Sequence, residues 1–168
     1  MKLIYIPDVG FTIDDHLGQR TITWNDQRKH IRKTILKEYS YKKDDRLYDE
    51  VELSQKRDIY HNNEVFFVLS YDISSNCLKE LEIHHGIDIE INGVVIKFGD
   101  EMTTVTQKLR IEPTILDEGG TYLFPSLKMT ISNGRVMGDD DDDESDTTSS
   151  ENVAYFYASN NVDHLLAL

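Results

Sequence analysis

At 168 residues with 39% hydrophobic side chains, the chain is long enough to bury a core, either as one ordinary domain or as two small ones. Its net charge of −13 argues against a nucleic-acid-binding surface, because such binding draws its affinity from Lys and Arg meeting phosphates; a basic partner is the natural complement. No apolar run approaches the roughly 18 residues of a membrane span, residues 3–6 are too few for the apolar region of a signal peptide, and a lone Cys77 suits a reducing compartment. A cytoplasmic chain with no membrane attachment is expected.

The chain starts with an extended stretch over residues 1–9, where Pro7 holds the residue before it extended. Residues 11–14 and 21–24 read as short strands around a turn at Leu17-Gly18. Asn25 and Asp26 each offer an oxygen to the free N–H groups of a helix start. The spacing predicts a helix over residues 26–38, with Ile31 and Ile35 on one face and Arg28, Lys29, Arg32, Lys33 and Lys37 on a solvated remainder. Residues 39–57 lack a period and read as a long connection with an irregular strand around residues 48–53. Residues 58–60 and 64–73 form a predicted hairpin, and in residues 77–84 Leu78, Leu81 and Ile83 oppose Lys79, Glu80 and Glu82 as in a half-buried strand.

The second half repeats that order. A shift of 74 lays Ile13 on Ile87, Ile22 on Ile96, Trp24 on Phe98, Asp26 on Asp100, Ile31 on Val105 and Ile35 on Leu109, so that Asp100 caps a second predicted helix. A shift of 58 puts Leu69, Tyr71 and Ile73 on Leu127, Met129 and Ile131, and one of 75 puts Leu81 and Ile83 on Phe156 and Ala158. The expected fold is α+β: two tandem repeated modules, residues 1–85 and 86–168, each of short strands, one helix and an antiparallel sheet of about three strands. The second copy shortens the connection 39–57 to residues 110–113 and inserts residues 134–151 where the first has a tight turn at residues 74–76.

The insertion carries Asp139, Asp140, Asp141, Asp142, Asp143, Glu144 and Asp146, seven acids within eight residues, which repel one another and resist packing. Two readings stand: a solubilising loop, or a segment that steers a strongly basic partner and raises its association rate. Oxygens at Asp140, Asp142, Glu144, Asp146 and Glu151 are spaced loosely like a calcium loop, but Ser145 stands where that loop needs Gly. A second candidate comes from the repeat, in which Glu80 and Glu82 on a solvent face correspond to Tyr155 and Tyr157. Paired tyrosines there form a protein-contact patch unless residues 162–168 fold over them.

His84 and His85 are adjacent on a predicted strand and so point to opposite faces, and no metal site is assigned to them. Asp14-Asp15 and Asp44-Asp45 sit in predicted turns, with nothing to set a protonated acid beside an ionised one. With no phosphate loop, nucleophile elbow or zinc spacing, neither catalysis nor a cofactor is expected.

A small acidic chain without catalytic motifs, with an acid run over residues 139–146 beside aromatics, resembles the immunity proteins that neutralise bacterial toxin domains, such as those of contact-dependent growth inhibition systems. The resemblance implies an antitoxin that binds a cationic toxin domain such as a nuclease, with the seven acids, Tyr155 and Tyr157 as contact residues. In architecture the predicted repeat is also similar to the β-lactamase-inhibitory proteins, although those are secreted and disulfide-bonded while this chain has one cysteine. The alternative is a small ligand- or metal-binding protein, or an enzyme, using the cleft between modules with His84, His85 and nearby acids.

Overall fold

The computed structural model describes residues 1–35, 39–134 and 151–166. Among them the first half forms β1 (Lys2–Ile6), β2 (Gly10–Asp15), β3 (Gly18–Thr23), α1 (Arg28–Ile35), β4 (Tyr41–Arg46), β5 (Gln55–His61), β6 (Phe66–Tyr71) and β7 (Leu78–His85). The second half forms β8 (Asp88–Ile91), β9 (Val94–Ile96), α2 (Met102–Leu109), β10 (Thr114–Leu116), β11 (Thr121–Phe124), β12 (Met129–Asn133) and β13 (Val153–Ser159). Among the described residues strand predominates, with thirteen strands in two sheets against two α-helices of 8 residues each. The fold is therefore mostly β, and the expectation of an α+β protein with one helix and about three strands per module is corrected.

The excess of strand comes from segments whose alternation is hidden. Residues 41–46, Tyr-Lys-Lys-Asp-Asp-Arg, carry no apolar alternation, yet they form edge strand β4 against β5, with Lys43 opposite Asp58 and Asp44 opposite Arg57. Charge on an edge strand also discourages pairing with another chain. Strands β10 and β11 are only 3 and 4 residues long, too short for a period to register. Asp14 and Asp15 lie on β2, and Asp44 and Asp45 on β4, so neither pair sits in a turn.

Two sheets form, one ordered β3-β2-β1-β8-β9 and the other β10-β11-β12-β13-β7-β6-β5-β4. All neighbours are antiparallel except β1 and β8, where Leu3 lies beside Ile89 and Tyr5 beside Ile91. Both halves of the chain contribute to both sheets. The sheets share one buried cluster that includes Tyr5, Phe11, Trp24, Phe67, Leu81, Ile89, Met102 and Phe156. The Tyr5 ring meets Phe156 edge-on at 5.8 Å, and its hydroxyl donates to the Leu127 carbonyl at 2.8 Å, tying the small sheet to the large one. Gly86 turns the chain from β7 to β8 at φ +80°, and a Cβ there would stand 1.7 Å from the Glu64 carbonyl oxygen. Only glycine permits that approach.

The starts of the two helices are alike. The Arg28 N–H donates to the Asn76 carbonyl at 2.9 Å and the Leu78 N–H to the Asp26 carbonyl at 3.0 Å; the Met102 N–H donates to Glu151 at 3.2 Å and the Val153 N–H to Asp100 at 2.8 Å. Asp26 and Asp100 do not cap their helices. Their carboxylates accept the N–H of Thr23 at 2.8 Å and of Lys97 at 3.1 Å, closing the turn before each helix, and a neighbouring backbone takes the first helical N–H. Leu69 lies opposite Leu81 and Phe67 opposite Ile83, while Ile131 lies opposite Phe156 and Met129 opposite Ala158. With Leu81 laid on Phe156, Leu69 therefore matches Ile131, a shift of 62 instead of 58. Both shifts are even, so the in/out alternation looks the same in either register.

Helix α1 also departs from expectation. Ile31 and Ile35 are buried, but Arg28 and Arg32 turn inward instead of joining a solvated basic face. Asp58, 0% exposed, accepts Arg28 Nε at 3.1 Å and Nη2 at 2.5 Å, and Arg32 Nε at 2.8 Å and Nη2 at 2.7 Å. Arg28 also reaches Asp45 at 2.8 Å and lies over the Tyr71 ring, while Arg32 lies over Tyr41. Burial pushes the Asp58 carboxyl up, but the hydrogen bonds from Arg32 and Arg28 outweigh it and hold it below the ordinary carboxylate range. This cluster clamps the β4–β5 hairpin onto α1.

Candidate functional site: the outer face of the large sheet

Strands β7 and β13 run side by side in the middle of the eight-stranded sheet, with Leu81 opposite Ala158 and Ile83 opposite Phe156, all four buried. Alternation then sends Glu80, Glu82, His84, Tyr155 and Tyr157 to the outer face. Tyr157 pairs directly across from Glu82, and the Tyr155 hydroxyl donates to Glu82 Oε2 at 3.1 Å. Burial, reinforced by Glu82, raises the Tyr155 hydroxyl above its ordinary range, and burial with Glu80 does the same for Tyr157, so both remain hydrogen-bond donors at neutral pH.

A ring cluster extends this face toward β6. His84 stacks on Phe66 at 4.2 Å and meets Tyr155 at 5.1 Å, His61 stands 5.2 Å from Phe66, and His85 stands 6.1 Å from it. His84 and His85 were expected on opposite faces. A bulge sets His85 opposite Phe66 and Ile83 opposite Phe67, so two β7 residues span one step of β6, and both rings gather around Phe66. Among the described residues no group of three His, Cys, Asp or Glu is arranged to hold a metal ion.

Tyr155 and Tyr157 are half-buried, less open than a free solvent face implies. Val162 is buried, and His164 in the turn Asp163–Leu165 comes within 3.5 Å of the Tyr157 hydroxyl, so the C-terminal residues cover part of this face at Tyr157. The seven predicted acids, Asp139 to Asp143, Glu144 and Asp146, lie outside the described residues. The residues that flank them, Gly134 after β12 and Glu151 before β13, stand at the end of β13 nearer Tyr155 than Tyr157.

Two concavities border these elements. A groove of about 360 Å³ beside the outer face is lined by Val51, Arg57, Ser70, Lys79, Glu80 and Glu82, among others. A cavity of about 700 Å³ opens between the small sheet and the β5–β6 turn, lined by Asp14, Asp15, His16, Asn62, Glu64 and Asp88 together with Lys2, Tyr39 and neighbouring residues. Several of its charges are engaged within the protein: Lys2 donates to Glu90 at 2.8 Å, and Asp15 pairs with Arg20. Phe66, His61 and the Glu82 contacts were missed from sequence, because consecutive Phe66-Phe67 gives no indication of which ring faces out and the bulge is invisible to alternation.

No helix among the described residues is long and apolar enough to cross a membrane. Comparison with known proteins finds no matching family model, no curated protein of significant sequence similarity and no solved structure of significant structural similarity.

Proposed function

We propose that the chain is a non-enzymatic immunity protein that binds and neutralises a cationic toxin domain, of nuclease type, in the cytoplasm. The observation that carries this reading is the juxtaposition of Glu80, Glu82, Tyr155 and Tyr157 on one sheet face. Carboxylates offer charge-assisted hydrogen bonds to Arg and Lys, and tyrosine rings add cation–π contact and large area at low entropic cost. The acids Asp139 to Asp146, in a segment that flanks β13, steer the encounter, and the sheet face provides the buried contact that occludes the toxin.

The test is titration of the purified chain against a basic nuclease toxin domain of the contact-dependent inhibition type, taken from the reading frame upstream of this chain where that frame encodes one, followed by calorimetry and by the toxin's own activity. Saturable binding with loss of toxicity supports the reading, and absence of both overturns it. A second reading follows from the 700 Å³ cavity between the sheets, whose acidic lining suits a small cationic ligand. A polyamine that raises the melting temperature, with loss of the shift in Asp88→Asn, would favour it.

A further inference from the structure

The connection between β4 and β5 presents four large apolar side chains to solvent: Leu47 at 64%, Tyr48 at 57%, Val51 at 59% and Leu53 at 59% exposure. Scattered exposed apolar residues are ordinary, but four within seven residues form a patch that calls for a partner. The patch is held in shape. Ser54 Oγ accepts the Tyr48 N–H at 2.9 Å and donates to the Tyr48 carbonyl at 3.2 Å, and the Leu53 and Ser54 N–H groups close a turn on Glu50 and Val51. At its base the hairpin is clamped by Asp45 and Asp58 on Arg28 and by Asp44 on Arg57. Apolar side chains presented on a pre-ordered turn lose little entropy on docking.

The same seven residues carry Asp49, Glu50 and Glu52 and no basic residue. That charge disfavours a second copy of this chain, since the like-charged turns would meet, and it disfavours an anionic lipid surface. Val51 also lines the groove that Glu80 and Glu82 share, so the turn is continuous with the outer face of the large sheet. We infer that the 47–53 turn is a second docking element, whose Leu47, Tyr48, Val51 and Leu53 enter an apolar surface on a protein partner rimmed by Lys and Arg. The inference rests on the partner-binding reading of the chain and adds an aliphatic anchor to the acidic and tyrosine contacts of the sheet face.

The probe is an amphipathic helical peptide of Leu and Lys, titrated by calorimetry into the full chain and into the double variant Leu47→Ser with Leu53→Ser. Both side chains are exposed, so the variant should keep its circular dichroism. We expect saturable binding to the parent chain and at least tenfold weaker binding to the variant, as for loss of interface anchors. Equal affinity for both proteins overturns the inference, as does no binding to the parent. Variant-sensitive binding to phosphatidylcholine vesicles without peptide binding also overturns it, in favour of a membrane. The toxin-domain titration keeps the two readings separate. If the toxin binds parent and variant alike, the turn is not an anchor while the immunity reading stands; if only the peptide binds, through the turn, the immunity reading falls and the docking element remains.

Discussion

Replacing Asp58 with Asn tests whether the clamp between α1 and the β4–β5 hairpin holds this region together. The substitution keeps the size of the side chain and leaves Arg28 and Arg32 without the carboxylate that receives four of their N–H contacts. Removing one member of a buried ion pair costs about 3–5 kcal/mol, because the remaining charge is uncompensated. For a chain of this size each kcal/mol shifts Tm by about 2–4 °C, so a fall of about 6–20 °C is expected in thermal denaturation followed by circular dichroism at pH 7. The pH dependence provides an independent check. The folded-state pKa of Asp58 is depressed, so its contribution is fully present above the ordinary aspartate value of about 3.9 and is lost as pH falls through the lower folded value. The parent should therefore lose stability below about pH 4 more steeply than Asp58→Asn. Joint replacement of Arg28, Arg32 and Asp58 by Met, Met and Leu should recover most of the loss, because it removes the buried charges together while Asp45, which loses Arg28, keeps its ion pair with Lys43 at 3.1 Å. A single variant within about 1 kcal/mol of the parent, with an unchanged acid limb, would refute the argument.

Three further substitutions test the fold and one double replacement tests the site. Gly86→Ala, whose Cβ would overlap the Glu64 carbonyl oxygen at positive φ, should cost at least about 3 kcal/mol in chemical denaturation. Tyr5→Phe leaves the Leu127 carbonyl without its donor and should cost about 1–3 kcal/mol, read as a lowered denaturation midpoint at constant slope. Leu81→Ala, at 0% exposure on a central strand, should cost about 2–5 kcal/mol by the same measurement. Replacing Glu80 and Glu82 by Gln should weaken binding of the toxin domain and flatten its salt dependence while leaving Tm within a few degrees, since both carboxylates are on the outer face.

Features set by local sequence could be read in advance. Ile31 and Ile35 on α1 recur as Val105 and Leu109 on α2 at the 74-residue spacing, and the alternation of Leu81 and Ile83 against Glu80 and Glu82 marks β7 as half-buried. The features that were misread depend on partners distant in the chain. Strand β4 looks like a polar connection until Arg28 and Arg57 stand beside its aspartates. Asp26 and Asp100 look like helix caps until the backbones of Asn76 and Glu151 take the first helical N–H groups. The 58-residue and 62-residue registers present the same alternation, and only the pairing of β12 with β13 distinguishes them.

By itself the sequence determined the total charge and its concentration in residues 139–146, the apolar stripe of each helix, the hairpin within residues 58–73 and the recurrence of the helix start in the second half. These follow from composition and from periods of 3.6 and 2, which are properties of contiguous residues. Tertiary structure alone decided that both halves share two sheets, that Arg28 and Arg32 face a buried carboxylate, that a bulge gathers His84 and His85 around Phe66, and that Glu82 meets Tyr155 and Tyr157 at the junction of β7 and β13. Each of these depends on strand pairing and packing between distant residues, which alternation along the chain leaves undetermined.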